Sequence, residues 1–321
     1  MTEPVKEFLS QIKVGAKQTH KNMTLYCLLC AHEASVDFLT LDEALDNGSL
    51  VITEVSEGGH VPELKVVNKS DQKVLLLDGE ELVGAKQNRV LNVTVLIAPQ
   101  SETMIPVSCV EQGRWSYRSH EFGSARRAMN ADLKRKKSQS VRDSLRAFGS
   151  FTSAQGMVWE EIDAKFARME ASPSPTMALS DLHERHQDLT DDFLKAFHPV
   201  DKQIGMVVFI DGEVAGAELL GRFETFTKAH SKLVHSYVMD ALETAKHTEK
   251  ASIRGLKAKA TNMLGSAAKA AVEKRQSVAL GKDVRVESNQ VVGAGLEFEG
   301  QVLQMSIFLK GDESSREKRT L

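Results

Sequence analysis

Residues 75–98 read LLLDGEELVGAKQNRVLNVTVLIA, and their periodicity sets the fold class. The apolar run Val74–Leu77 and the segment Glu80–Ala85 flank Asp78-Gly79, a pair that favours the positive φ angles of a tight turn between strands. From Arg89 to Ala98 the chain alternates, with Leu91, Val93, Val95 and Ile97 on one face and Asn92 and Thr94 on the other. A period of two marks a strand with one face on the core. The stretch predicts a hairpin and then a half-buried strand. Between them stand four polar residues, Lys86-Gln87-Asn88-Arg89, that no turn requires.

Working outward, Glu102–Glu111 is a further strand, with Pro106 marking an edge or bulge. Paired antiparallel with 89–98 through a short turn near Pro99–Ser101, it returns the chain so that Glu111–Trp115 lies beside Lys86–Arg89. Upstream, Val51–Ser56 and Glu63–Lys69 read as strands. Thr40–Asn47 reads as a short helix with Thr40 as N-cap and Glu43 completing a capping box. Met23–Ala31 (MTLYCLLCA) is a continuous apolar run of strand length, suited to burial on both faces. Downstream, Ser124–Phe148, Gln155–Glu170 and Leu179–Phe197 carry helical spacing, with a break at Ser172–Pro175. A hairpin over Gly205–Gly221 turns at Asp211-Gly212 and repeats the pattern of Leu75–Gln87. Helices over Arg222–His247 and Arg254–Arg275 follow, then strands from Ser277 to Lys310. The expectation is an α+β fold: an antiparallel or mixed β-sheet core built from N- and C-terminal strands, with a long helical insertion in the middle. One domain is expected over 1–310, with a flexible C-terminal tail over 311–321.

Composition narrows the function classes. In 321 residues, 41 Lys+Arg nearly balance 44 Asp+Glu, which argues against a polycation that coats nucleic acid. Three cysteines cannot form a disulfide framework in a chain of this length, and the start MTEPVKEFLSQIK has no apolar signal core. With no apolar run of membrane-spanning length, a cytoplasmic protein that does not engage the membrane is expected.

The two polar blocks are where chemistry concentrates. Lys86, Arg89, Arg114 and Arg118 supply cationic donors, Glu80, Glu81 and Glu111 supply acceptors, and Gln87, Asn88 and Gln112 supply amides. Trp115 and Tyr117 supply flat faces. Arginine forks match phosphate oxygens, carboxylates accept from ribose hydroxyls, and an indole stacks on a base. The expected site has Arg89 and Arg114 on phosphate, Glu111 as ribose acceptor or general acid/base, and Trp115 stacking. Asn88 and Gln112 read polar edges, and Glu81, Lys86 and Gln87 complete the set. The same residue types also make a buried ion-pair network at a strand end, so that alternative stands beside the site.

Asp78–Arg89 (DGEELVGAKQNR) followed by Ile105–Trp115 (IPVSCVEQGRW) resembles the ARG and rhodanese-phosphatase-superfamily-associated protein domain family. Val61-Pro62-Glu63-Leu64 and the Gly205–Gly216 hairpin also fit. The resemblance covers most of the chain and resides in the two central blocks. It carries over no catalytic residues. The family's name records association with ADP-ribosylglycohydrolase-type and phosphatase-type proteins, which implies ADP-ribose, NAD-derived or other phosphorylated ligands.

Other candidates read more plainly. Cys27-Leu28-Leu29-Cys30 has apolar flanks and strand spacing, which suits buried thiols better than a redox or zinc pair. His183-Glu184-Arg185-His186 lacks the i, i+4 spacing of a helical zinc motif and reads as a solvated face. The basic runs Ser124–Phe148 and Lys246–Lys282 are expected to be solvated faces, with RNA or DNA binding the lesser reading. Three function classes follow: a domain binding a nucleotide-like phosphorylated ligand, with turnover open; a protein-interaction or scaffold module; and a basic-helix nucleic-acid binder. The residues name no cofactor and no metal.

Overall fold

The computed structural model describes residues 3–59, 61–245 and 254–310. The tail expected over 311–321 lies outside the described residues. Eight helices and seventeen strands make an α+β fold with one large sheet, one curled sheet and one small sheet among the described residues.

The large sheet has eight strands in the order Lys13–His20, Met23–Leu29, Gln203–Ile210, Glu213–Leu220, Gln301–Leu309, Val291–Phe298, Lys282–Glu287, Ala271–Gln276, all antiparallel. Terminal strands thus share a sheet, joined through a hairpin from the middle of the chain. Met23–Leu29 is buried on both faces. Met23, Leu25 and Cys27 pack toward the helix Phe223–Thr244, while Tyr26 and Leu28 pack toward the helices Pro4–Gln11 and Leu256–Lys269. The hairpin turns at Asp211 (φ 53) and Gly212 (φ 80) with Ile210 opposite Glu213, a type I′ geometry.

The second sheet has six antiparallel strands in the order Phe122–Ala128, Glu80–Gly84, Arg89–Leu91, Ser101–Cys109, Glu63–Asn68, Leu50–Glu54. A bridge between Thr53 and Glu121 brings its two edges together, so the sheet closes as a small barrel. Its interior holds Leu50, Ile52, Leu64, Val66, Leu82 and Leu91. Outside it, Val90 and Val110 pack against the helices Ala131–Phe148, Gln155–Arg168 and Leu179–Arg185.

Several sequence expectations are corrected. Arg89–Ala98 is two strands, Arg89–Leu91 in the barrel and Val95–Ile97 in the three-stranded sheet, so both faces are buried there. Asn92 donates to Phe151 O and accepts from Ser108, and Thr94 donates to Gln304 of the large sheet. Asp78-Gly79 is a corner between two sheets and no hairpin. Only Gly79 has positive φ, and Asp78 pairs with Lys137. Residues 124–128 and 271–275 are strands, with the neighbouring helices confined to Ala131–Phe148 and Leu256–Lys269. Leu179–Phe197 is broken at His186 into two helices. The capping box at Thr40 and Glu43 is formed. Among the described residues no helix is long and apolar enough to cross a membrane.

Candidate binding site at the barrel mouth

Strand register assembles the site. Cys109 lies opposite Arg89, Leu82 on the other side of Arg89, and Glu54 opposite Leu64. Alternation then sets direction: Arg89 shares a face with Leu91, Glu54 with Leu50 and Ile52, and Cys109 with Ile105 and Val107, all of which line the interior. Arg89, Glu54 and Cys109 therefore form a polar layer over an apolar barrel, at the mouth where the chain carries the exposed stretch 115–121.

Within that layer Arg89 Nη1 donates to Gln87 Oε1 and to Cys109 Sγ, each at 2.9 Å. Its Nη2 stands 3.7 Å from Glu54 Oε1, an ion pair too long for a hydrogen bond. Arg89 Nε and Nη2 and Glu54 Oε2 are buried without hydrogen-bond partners. Burial pushes the Cys109 thiol up to about 11, so it is no nucleophile at neutral pH. The Trp115 ring lies 5.6 Å from the Arg89 guanidinium carbon, and Lys86 Nζ sits 5.5 Å from Trp115 and 5.0 Å from Tyr117. Trp115 is 46% and Tyr117 45% exposed, while Arg89 beneath them is fully buried. The mouth is closed by side chains.

The expected neighbours do meet, with different duties. Glu111 accepts from Arg114 Nε (2.9 Å), Arg114 Nη2 (2.7 Å) and the Asn88 N–H (3.1 Å). Burial alone would raise its carboxyl, but these hydrogen bonds hold it below the ordinary value. Arg114 also donates to the carbonyls of Ala85 (2.5 Å), Ser116 (2.8 Å) and Gly84 (3.2 Å). The pair is thus a strut that fixes the turn at Gly84 and Ala85, both at positive φ, under the Trp115 loop. Arg114, expected on phosphate, and Glu111, expected in acid/base chemistry, thus have their side chains occupied by each other and by backbone.

Glu81 faces the opposite way. It points out of the barrel and pairs with Arg127 at 2.7 Å, and burial raises its carboxyl. Asn88 turns the same way, its amide 3.4 Å from Ser180 Oγ. Gln112 is exposed, and its carbonyl accepts from Gln87. Lys86, Gln87, Arg89 and Trp115 remain at the mouth. Sequence reasoning missed Glu54 and left Tyr117 out of the ligand set. The available signal was an acidic residue on the core face of Leu50-x-Ile52-x-Glu54.

Elsewhere, each carboxylate of Asp78-Gly79-Glu80-Glu81 takes a different cation: Lys137, Lys232 and Arg127. The block therefore pins two helices and a strand. Lys134 and Lys137 point into the core, so the helix Ala131–Phe148 is not the solvated basic face expected. His183 is also buried, its ring 4.6 Å from that of His235, because the helix Phe223–Thr244 covers it. Cys27, Cys30 and Cys109 are buried free thiols. No group of three or more His, Cys, Asp or Glu suited to a metal occurs among the described residues.

Comparison with known proteins adds one finding. No match was found among curated proteins or among solved structures. A family profile, described as the ARG and Rhodanese-Phosphatase-superfamily-associated Protein domain, matches residues 11–308 and spans both central blocks, the barrel and the large sheet. The chain belongs to the ARG and Rhodanese-Phosphatase-superfamily-associated Protein domain family.

Proposed function

We propose that this protein binds a phosphorylated, nucleotide-like ligand of the ADP-ribose or NAD-derived class at the barrel mouth. The observation that carries the reading is the Nε and Nη2 edge of Arg89, buried, without hydrogen-bond partners, and roofed by an exposed indole. That edge is the fork that grips two oxygens of a phosphate. Barrel mouths are common ligand sites, and buried polar groups without partners concentrate where ligands bind. Rotation of the Trp115 side chain opens access while the Glu111–Arg114 strut holds its backbone, and the indole then stacks on the base. Lys86 and Arg118 supply further positive charge at the rim.

Thermal unfolding with ADP-ribose, NAD, AMP and an RNA oligomer tests this. A ligand at a hundred times its Kd adds about 2.7 kcal/mol, a rise of several degrees in a small domain. The rise is expected with ADP-ribose or AMP and is expected to vanish in Arg89→Lys, which keeps charge but loses the fork. Equal shifts in the variant, or none with any nucleotide, reject the reading.

A second reading has its own observation. Exposed Trp115 and Tyr117 with Arg118 on a rigid base have the composition of a protein-binding hot spot. Under it, Trp115→Ala abolishes partner capture while nucleotides leave the melting temperature unchanged. Burial of Lys134 and Lys137 takes two cations of the first basic run out of reach of a nucleic acid.

A further inference from the structure

We propose that Glu54 makes the barrel mouth selective for a phosphorylated sugar with free hydroxyls over a bare phosphate. This rests on the reading of the mouth as a phosphate site and assigns a residue that determines its specificity.

Glu54 is buried at the end of its strand and aimed inward. Its Oε1 meets the Lys86 N–H at 3.4 Å and Arg89 Nη2 at 3.7 Å, and its Oε2 has no hydrogen-bond partner. A charge-assisted pair normally closes to about 2.7–2.9 Å. Here a carboxylate and a guanidinium stand desolvated side by side with one oxygen and two nitrogens unsatisfied, an arrangement that costs stability unless something completes it. What completes it must offer both polarities within one small group. Acceptor oxygens are needed for Arg89 Nε and Nη2, and a donor for Glu54 Oε2. A bare phosphate satisfies the first and is repelled by the second. A ribose phosphate satisfies both, with phosphate on Arg89 and a ring hydroxyl donating to Glu54. Cys109 Sγ accepts from Arg89 Nη1, and no hydrogen bond joins its thiol to Glu54 Oε2. The remaining interior neighbours, Leu82, Leu91 and Phe122, are apolar and offer the sugar no alternative acceptor.

Calorimetric titration of the full chain compares ribose 5-phosphate, tetrahydrofurfuryl phosphate (the same ring and phosphate without hydroxyls) and inorganic phosphate. Wild type is expected to prefer ribose 5-phosphate by about tenfold or more, since sites built around a hydroxyl reject analogues that lack it. In Glu54→Gln the preference falls below about threefold and inorganic phosphate binds more tightly, while Arg89→Lys weakens all three ligands. Should phosphates bind in an Arg89-dependent manner with no preference for hydroxyls, or with the preference unchanged in Glu54→Gln, the role of Glu54 is overturned and the phosphate reading stands. Should none of the three bind, both are overturned. The wild-type comparison decides by itself if the variant does not fold.

Discussion

Arg114 reaches six acceptors, two on Glu111, one on Asn88 and the carbonyls of Gly84, Ala85 and Ser116. Lysine has too few donors and the wrong geometry to replace it. Removing the guanidinium in Arg114→Ala strands the Glu111 carboxylate in a buried position, and breaking such a pair costs about 3–5 kcal/mol. The urea midpoint is expected to fall accordingly, and an unchanged midpoint would deny the strut. Next to it, half-exposed Trp115 tells the opposite story. Trp115→Ala is expected to leave stability within about 0.5 kcal/mol, while weakening nucleotide binding by about 1–3 kcal/mol, the usual worth of a base–aromatic stack. Proximity of these residues was legible from strand alternation and a short turn. Their partners were not, because an arginine in sequence carries no record of which acceptors will be desolvated around it.

Among elements, the helices Leu179–Arg185 and Phe223–Thr244 bury three imidazoles, His183 and His235 against each other and His230 against Phe226. Burial, then His235, then Arg127 hold His183 well below its ordinary value. Burial holds His230 and His235 down to about 4 each. A histidine kept neutral in this way binds fewer protons folded than unfolded. Its contribution is intact above about 6.5 and is lost as pH falls toward about 4. Glu80 and Glu81, raised by burial, titrate with the opposite sign, so a comparison of variants isolates the imidazoles. Both His183 nitrogens lack hydrogen-bond partners. His183→Leu is therefore expected to be about 1–2 kcal/mol more stable than wild type at pH 5, with a smaller gap at pH 7.5, by denaturant unfolding at both. A variant that loses stability equally at both values would show that the ring's packing outweighs its charge. The motif His183-Glu184-Arg185-His186 looked solvated because a seven-residue helix shows little periodicity, and what covers it arrives fifty residues later.

At the scale of the whole molecule, buried polar links tie the barrel to the large sheet. Lys134 bonds Glu218 at 2.9 Å, and Glu218 also accepts from Tyr237 and Ser306. Lys137 pairs with Asp78, and Thr94 with Gln304. With these shared contacts, residues 1–310 are expected to unfold as one unit, so that tryptophan fluorescence from Trp115 and Trp159 and far-ultraviolet circular dichroism give coincident transitions. Separate midpoints would mean two domains. Lys134→Met is expected to cost about 3–5 kcal/mol, because Glu218 stays buried without its cation, and Lys134→Met with Glu218→Gln to recover most of that. The sequence by itself determined the local pieces. A both-face-buried strand at Met23–Leu29, the capping box at Thr40, the type I′ turn at Asp211-Gly212 and the α+β class all follow from periodicity and backbone sterics within a few residues. Only the tertiary structure decided that six of the strands between 50 and 128 close into a barrel, that Glu54 and Arg89 share its mouth, and that Glu81 faces away. Those outcomes depend on strand register and closure over long separations, and on desolvation that exists only once the whole core has formed.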